Sequence, residues 1–408
     1  MPKPLKVVVV GAGFGGLEAA KILRESPRIE VVMVDRHPYQ LFSPLLYQVA
    51  TGALPEDDIA YPVRAAIPGV TFIRGDVVRV DPQRHTVQLF DGQHIDYDQL
   101  ILATGSVGTT FGIPGVEENA LQMKSIAEAR QIKRRLLNTY EDVQEGRLPR
   151  EALRVVVVGG GPTGVEVSGA VAEMQASMVR EYPDIADHAS VTLVEAGPRL
   201  LPSFSQQSSD HAKEELEQIG VTVKLATAVD RMYERDVHLK SGEILPAGTV
   251  VWAAGVAAPD RWADLGATGP ARRLIVDDFL RLPDVPDVWV VGDTAAYTDS
   301  GTAPLPMVAP VAMQMGRHAA RNIIALASGK LMAPFRYVDK GQMATIGRRR
   351  AVAETPQGIR LHGTPAWLAW LGLHVVYLAG GRNRVSVLAD WAWNYLAWGI
   401  GPRRAIVE

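Results

Sequence analysis

An α/β chain with two domains, each built round a parallel sheet, is predicted by three observations. VVVVGAGFGGLE at 7–18 is almost repeated as VVVVGGGPTGVE at 155–166, 148 positions later. Each copy is followed by a strand-like run that ends in an acid, IEVVMVD at Asp35 and SVTLVEAG at Glu195. LILATG at 100–105 and VVWAAG at 250–255 then stand in matching places of the two halves.

Four valines in a row suit a strand buried on both faces, as in parallel sheets. The G-x-G-x-x-G that follows is Gly11, Gly13 and Gly16 in the first copy, with Phe14 and Gly15 between. In the second it is Gly159, Gly161 and Gly164, with Pro162 and Thr163 between. Such glycines turn the chain sharply, let backbone approach a pyrophosphate and allow close helix–strand packing, so that the phosphates sit at a helix N-terminus. The acid ending the next strand binds a ribose hydroxyl. Asp35 lies nineteen residues after Gly16, whereas Glu195 lies thirty-one after Gly164, a gap that VREYPDIADHA fills as an extension of helix and loop. With strand, glycines and acid all present twice, we read two Rossmann-like sites for two dinucleotides rather than two ordinary tight turns.

The remaining elements follow in order. Residues 37–69 read as loop and short helix. Residues 70–105 read as short strands with turns at Asp81-Pro82 and Asp91-Gly92, ending in a buried strand at 100–103. A long helix at 125–145 leads to the second copy, which continues with helices from Thr163 and across 207–219 and a meander near 221–240. DVWVVGD, carrying Gly292 and Asp293, precedes a helix across 308–327 whose first turn accommodates Pro310.

Composition narrows the chemistry. The 408 residues are 47% hydrophobic and 21% charged, with a net charge of −3 and a pI near 6.3, which gives no footprint for nucleic acid. The lysines before the first valine run resemble a signal peptide, but those valines belong to the first fingerprint, so no signal is expected. Without cysteine there is no disulfide, thiol nucleophile or cysteine-held cluster in this chain. The nine histidines show no H-x-x-x-H spacing, and no metal site is expected. Electron chemistry falls to the bound dinucleotides. The tail differs: Trp367, Trp370, Trp391, Trp393 and Trp398 all lie in the final 42 residues, flanked by Arg382, Arg384, Arg403 and Arg404. The apolar run at 366–380 is too short to span a bilayer, so tryptophan with arginine is read as a helix lying on the membrane surface. A homodimer interface is the rival reading.

These stretches, with FSPLLYQVATG at 42–52, FGIPGVEENALQMKSI at 111–126, VTLVEAGPRLLP, VVGDTAAY, APVAMQMGRH and DKGQMATIGRRRAV, resemble the type II NADH dehydrogenases nearly end to end. The resemblance implies FAD at the first fingerprint, NADH at the second, and a membrane quinone as acceptor, without proton pumping. It implies an FAD-binding domain split into 1–118 and 269–330, an NADH-binding domain at 119–268, and a quinone-site and membrane-anchoring region at 331–408. Asp293 would meet the ribityl chain, Pro44 the isoalloxazine and the Val77 backbone the adenine. Ala103, Thr104 and Gly105, like Ala254 and Gly255, would border the cofactors. Glu166 matches a glutamate near nicotinamide and flavin, although Glu18 holds the same place in the first copy, where an acid complements a helix N-terminus. Gln314 and Lys340 match positions lining the quinone pocket. The family's A-Q-x-A-x-Q reads Ala309-Pro310-Val311-Ala312-Met313-Gln314 here, so Pro310 replaces its first glutamine. The enzyme is expected at the cytoplasmic face of the cell membrane, as a peripheral protein. A sulfide:quinone oxidoreductase would need cysteines. A soluble reductase of an electron-carrier protein and an NADH-responsive flavoprotein sensor are the alternatives.

Overall fold

The computed structural model describes residues 3–299, 301 and 303–396, with backbone alone for 394–396. The chain divides into two compact units. The first comprises residues 1–41, 60–107 and 256–339, the second 42–59, 108–255 and 340–408. The expected segment 1–118 is thus shared between the two, and the region expected at 331–408 belongs mostly with the second fingerprint.

The first unit is built on a six-stranded sheet in the order Arg281–Leu282, Val285–Val290, Gln99–Leu102, Leu5–Val10, Ile29–Asp35, Thr71–Arg74. All pairings but the first are parallel. Val7, Val8 and Val9 have no exposed surface, as strands covered on both faces require. Leu5–Val10 turns at Gly11 into the helix Phe14–Leu23, which packs on Ala309–Ala327. That packing is a backbone contact: a Cβ added at Gly316 would lie 2.0 Å from the Gly15 carbonyl oxygen.

The second unit repeats the plan with a parallel sheet ordered Leu121–Gln122, Thr249–Trp252, Arg154–Val158, Ser190–Val194, Val221–Lys224. The long helix begins at Ile126, one residue after its expected start. Its cap is Ser125, whose hydroxyl accepts from the Glu128 N–H while the Glu128 side chain accepts from the Ser125 N–H. The extra residues before Glu195 lengthen the fingerprint helix to Pro162–Met178 and add the turn Ala186–His188. Residues 42–59, expected as loop with the first domain, form two short turns and the helix Leu46–Ala50. They are tied into the second unit by an Arg130–Glu56 ion pair and by a buried cluster in which Trp391 Nε1 donates to Gln48 Oε1 at 2.8 Å. The chain's last part is a three-stranded antiparallel sheet, Gln342–Gly347, Arg350–Glu354 and Arg360–His362, followed by helices Gly363–Tyr377 and Gly381–Leu396.

The fingerprint helix Pro162–Met178 lies directly against the strand Gln342–Gly347, where a Cβ at Gly169 would sit 1.6 Å from the Ile346 carbonyl oxygen. Gly169→Ala should therefore destabilise the protein by about 1–3 kcal/mol through overpacking. Gly372→Ala, in a helix where an added Cβ meets nothing within 4 Å, should stabilise by about 0.5–1 kcal/mol. Thermal unfolding of the two variants should move in opposite directions; a Gly169→Ala variant as stable as its parent would show that the helix–strand contact at Gly169 is not tight.

Candidate dinucleotide and acceptor sites

Each fingerprint is closed by the same device. Asp35 Oδ2 accepts the Ala12 N–H at 2.6 Å and Oδ1 the His37 N–H at 2.7 Å. Glu195 Oε2 accepts the Gly160 N–H at 2.5 Å and Oε1 the Gly197 N–H at 2.5 Å. The acid of each copy holds the middle residue of its G-x-G, so the longer gap to Glu195 changes nothing in its geometry. Gly16 and Gly164 cannot bear a side chain, because a Cβ would fall 1.9 Å from the Gly11 oxygen and 1.7 Å from the Gly159 oxygen. A Cβ at Gly13 or Gly161, by contrast, meets nothing within 4 Å. These glycines start helices whose first N–H groups have no side-chain cap. An open cradle before uncapped N–H groups fits a pyrophosphate, and the residues present fit two dinucleotides.

Around the first cradle, the loops after two sheet strands are tied together. Thr104 Oγ1 lies 3.2 Å from Thr294 Oγ1, Thr294 Oγ1 donates to the Gly105 carbonyl at 3.0 Å, and Ser106 Oγ donates to Asp293 Oδ2 at 2.6 Å. Trp262 Nε1 adds a bond to Thr104 at 2.9 Å. Ala103 is pinned by its N–H to the Val10 carbonyl. The Gly292 N–H approaches Met315 sulfur at 3.3 Å, seating Asp293 on the start of Ala309–Ala327. Val77 is buried and its carbonyl accepts from Arg261 at 2.9 Å. Sequence reasoning missed Ser106, Thr294 and Trp262; only the threonine, beside the motif aspartate, left a trace in the pattern. In the second unit Gly255 adopts φ 78° where Phe111 and Thr109 close on it, next to Ala254, and Pro44 lies in the short turn Ser43–Leu45.

The two equivalent glutamates diverge. Burial opposes ionisation of Glu18, but Lys21 at 2.8 Å and Arg317 at 2.6 Å outweigh it and hold its carboxyl below the usual range. Glu166 is half-buried and, among the described residues, pairs with no cation. Burial pushes its carboxyl up to about 8, opposed only by the Thr345 N–H. Glu18 is structural; Glu166 is a carboxyl able to hold a proton near neutrality.

Gln314 and Lys340 fall in different units. Lys340 is exposed. Gln314 Nε2 donates to the Val338 carbonyl at 2.9 Å and its Oε1 accepts the Val338 N–H at 3.0 Å. The amide thus clips residue 338 to the helix, and only its second N–H and second lone pair are left for a ligand. Pro310 occupies the first turn of that helix, where its missing N–H costs nothing.

The aromatic tail departs from expectation. Trp367, Trp370 and Trp391 are buried, Trp370 stacking on His374 at 4.0 Å and packing against Trp391 at 5.9 Å. Arg384 donates to the Leu378 and Val376 carbonyls, closing a helix end. Most tryptophans expected at a membrane surface are core residues: Trp370 and Trp391 fill the space between the two helices and residues 42–48, and Trp367 packs with Ala351 and Ala353 of the last sheet. The surface is instead aliphatic: Val376, Val385 and Leu388 are exposed, with Trp393 the one exposed tryptophan among those described. Trp398, Arg403 and Arg404 lie outside the described residues.

Residues 5–316 match the family of pyridine nucleotide-disulphide oxidoreductases, and residues 340–397 match the NDH2 C-terminal domain. The type II NADH:quinone oxidoreductase Ndh of Mycobacterium tuberculosis is 34% identical over 97% of this chain and 89% of its own length. The chain belongs to the type II NADH:quinone oxidoreductases. The family's fold is shared more widely. NDH2 of Plasmodium falciparum, solved in complex with NADH, superposes with a TM-score of 0.89 at 21% identity, covering 99% of this chain and 100% of that one. The sulfide:quinone oxidoreductase of Aquifex aeolicus reaches 0.74 at 21% identity, covering 98% and 96%. Fold alone does not separate these chemistries; the absence of cysteine and the full-length relative do.

Two outcomes follow from the acids. A carboxylate at Glu195 opposes a 2′-phosphate, and Arg199, which would offset it, is engaged by the Pro202 carbonyl at 2.6 Å. kcat/KM should favour NADH over NADPH by at least about tenfold, roughly 1.4 kcal/mol; equal values would refute the assignment. Glu166 keeps its proton in the native state up to about 8, whereas the unfolded chain releases it near 4.5. Its contribution to stability is complete below 4.5 and lost as pH rises to about 8. Glu166→Gln should flatten that decline, seen as a melting-temperature advantage over the parent at about pH 8 that shrinks towards about pH 5.

Proposed function

We propose that the first unit holds FAD, through Gly11, Gly13, Phe14, Gly15, Gly16, Asp35, Val77, Ala103, Thr104, Gly105, Gly292 and Asp293. NADH binds the second-unit fingerprint, through Gly159, Gly161, Pro162, Thr163, Gly164 and Glu195, with Ala254, Gly255 and Glu166 near it. The reaction is oxidation of NADH by a membrane quinone. FAD, when bound, supplies the two-electron relay between those substrates. The observation that carries this reading is the doubled clasp of acid on G-x-G loop, which one dinucleotide site alone would not need. Full-length similarity to type II NADH:quinone oxidoreductases supports the acceptor.

The chain's own residues do three things. The clasps present uncapped helix N–H groups to phosphate. Glu166 holds a proton that a quinone, on taking two electrons, must acquire with a second one. Gln314 keeps residue 338 on its helix and serves the quinone.

Membrane association belongs to the family, and among the described residues no helix is long and apolar enough to cross a bilayer. We place the contact on the exposed aliphatic face of Gly363–Tyr377 and Gly381–Leu396, at the cytoplasmic face of the cell membrane, where NADH is available. Each large apolar side chain buried there contributes about 1.5–3 kcal/mol.

Two experiments test these placements. Gln314→Leu should slow reoxidation by quinone at least tenfold, about 1.4 kcal/mol, while leaving flavin bleaching by NADH within about twofold; equal slowing of both would make Gln314 purely structural. Val376→Asp with Val385→Asp should abolish sedimentation with liposomes and reduction of long-tailed quinone, yet retain NADH oxidation by ferricyanide. A folded double variant that still sediments would place the contact elsewhere.

A further inference from the structure

Gln342 and Glu354 stand opposite each other in the C-terminal sheet, and both reach the same short loop of the second unit. Gln342 Nε2 donates to the Ser203 carbonyl at 2.7 Å and to Glu354 Oε2 at 3.3 Å. Glu354 Oε1 accepts the Ser205 hydroxyl at 2.5 Å and the Ser205 N–H at 3.0 Å. Ser205 is the N-cap of the helix Gln206–Gln218, so a carboxylate from a distant strand reinforces that helix start, where negative charge is favoured. Burial opposes ionisation of Glu354, but hydrogen bonds from Ser205, Ser208 and Gln342 outweigh it and hold the carboxyl below its usual range.

The other end of the loop lies on the second cradle. The Leu201 N–H donates to the Gly160 carbonyl at 2.8 Å, and a Cβ added at Gly160 would lie 2.7 Å from Leu200 Cδ2. The middle residue of this G-x-G is therefore gripped twice, on its N–H by Glu195 and on its carbonyl by Leu201. Leu201 has a φ of 47°, a left-handed conformation that a leucine keeps only where its surroundings impose it. Its anchors are the cradle on one side and, four residues on, the grip of Glu354 on Ser205.

We propose that Glu354 is a positioning residue for the nicotinamide dinucleotide. From the C-terminal sheet it fixes the loop at 197–205, and through Leu201 it sets the second cradle for the adenosine half of NADH. The inference rests on the assignment of NADH to the second fingerprint, where the loop follows directly on the acid expected beside the adenosine ribose. A part of the chain remote from the fingerprint in sequence thereby governs nucleotide affinity, while hydride transfer, at the other end of the dinucleotide, does not depend on it.

The test uses purified full-length holoenzyme carrying Glu354→Ala, Glu354→Gln or Ser205→Ala. The probe is ADP-ribose, which has the adenosine and pyrophosphate but no nicotinamide, titrated by calorimetry beside steady-state oxidation of NADH by ferricyanide. Glu354→Ala should weaken ADP-ribose binding and raise KM for NADH by at least about tenfold, with kcat within about twofold of the parent. Glu354→Gln, which keeps one acceptor, should lose at least about threefold in affinity. Ser205→Ala should reproduce part of the loss and combine with Glu354→Ala less than additively, because the two share one contact. Parental affinity with a lower melting temperature would make Glu354 purely structural and overturn the proposal. A kcat that falls as far as the affinity would overturn it too, as a general loosening of the fold. If the alanine variant does not fold, the glutamine variant decides, and parental affinity there is equally contrary. Gly161→Glu separates the underlying assignment: its Cβ meets nothing within 4 Å, and its carboxylate would repel a pyrophosphate. A folded Gly161→Glu variant that binds ADP-ribose normally would overturn the assignment of NADH to this cradle.

Discussion

One carboxylate closing on two backbone N–H groups is the interaction on which the architecture depends. Asp35 and Glu195 each hold the middle residue of a G-x-G loop and the residue two positions beyond the acid. The clasp fixes the loop, the loop aims an uncapped helix start, and that start defines where phosphate can sit. The acid of each fingerprint is therefore already part of the folded loop, so replacing it alters the shape of the cradle.

Duplication then gives identical positions different work. Glu18 and Glu166 share a place in the repeat, yet one is neutralised by Lys21 and Arg317 while the other, with no cation beside it among the described residues, stays protonatable near neutrality. The difference comes from what packs above each helix. Arg317 from Ala309–Ala327 covers the first, whereas the strand Gln342–Gly347 approaches the second and offers only the Thr345 N–H. The C-terminal sheet thus sets the chemistry of a residue that the repeat alone would make structural.

Periodicity and glycine spacing carried the sheets, fingerprint helices and both acids, because local backbone constraints dictate them. Burial of Trp367, Trp370 and Trp391 was not legible, since a tryptophan beside arginine reads alike at a core and at a membrane surface. The attachment of residues 42–59 to the second unit depends on Gln48 meeting Trp391, 343 positions away, which no local pattern encodes. Gln314 was found by resemblance, but its bidentate clip to Val338 needed coordinates.

The central claim is that two separate dinucleotide sites connect NADH to a quinone through bound flavin. Sequential anaerobic mixing tests it most directly: purified protein is mixed with one equivalent of NADH, then with a short-tailed quinone, while flavin absorbance is followed. The account predicts full bleaching in the first mix and full recovery in the second, each faster than steady-state turnover. Bleaching without recovery by any quinone would contradict it.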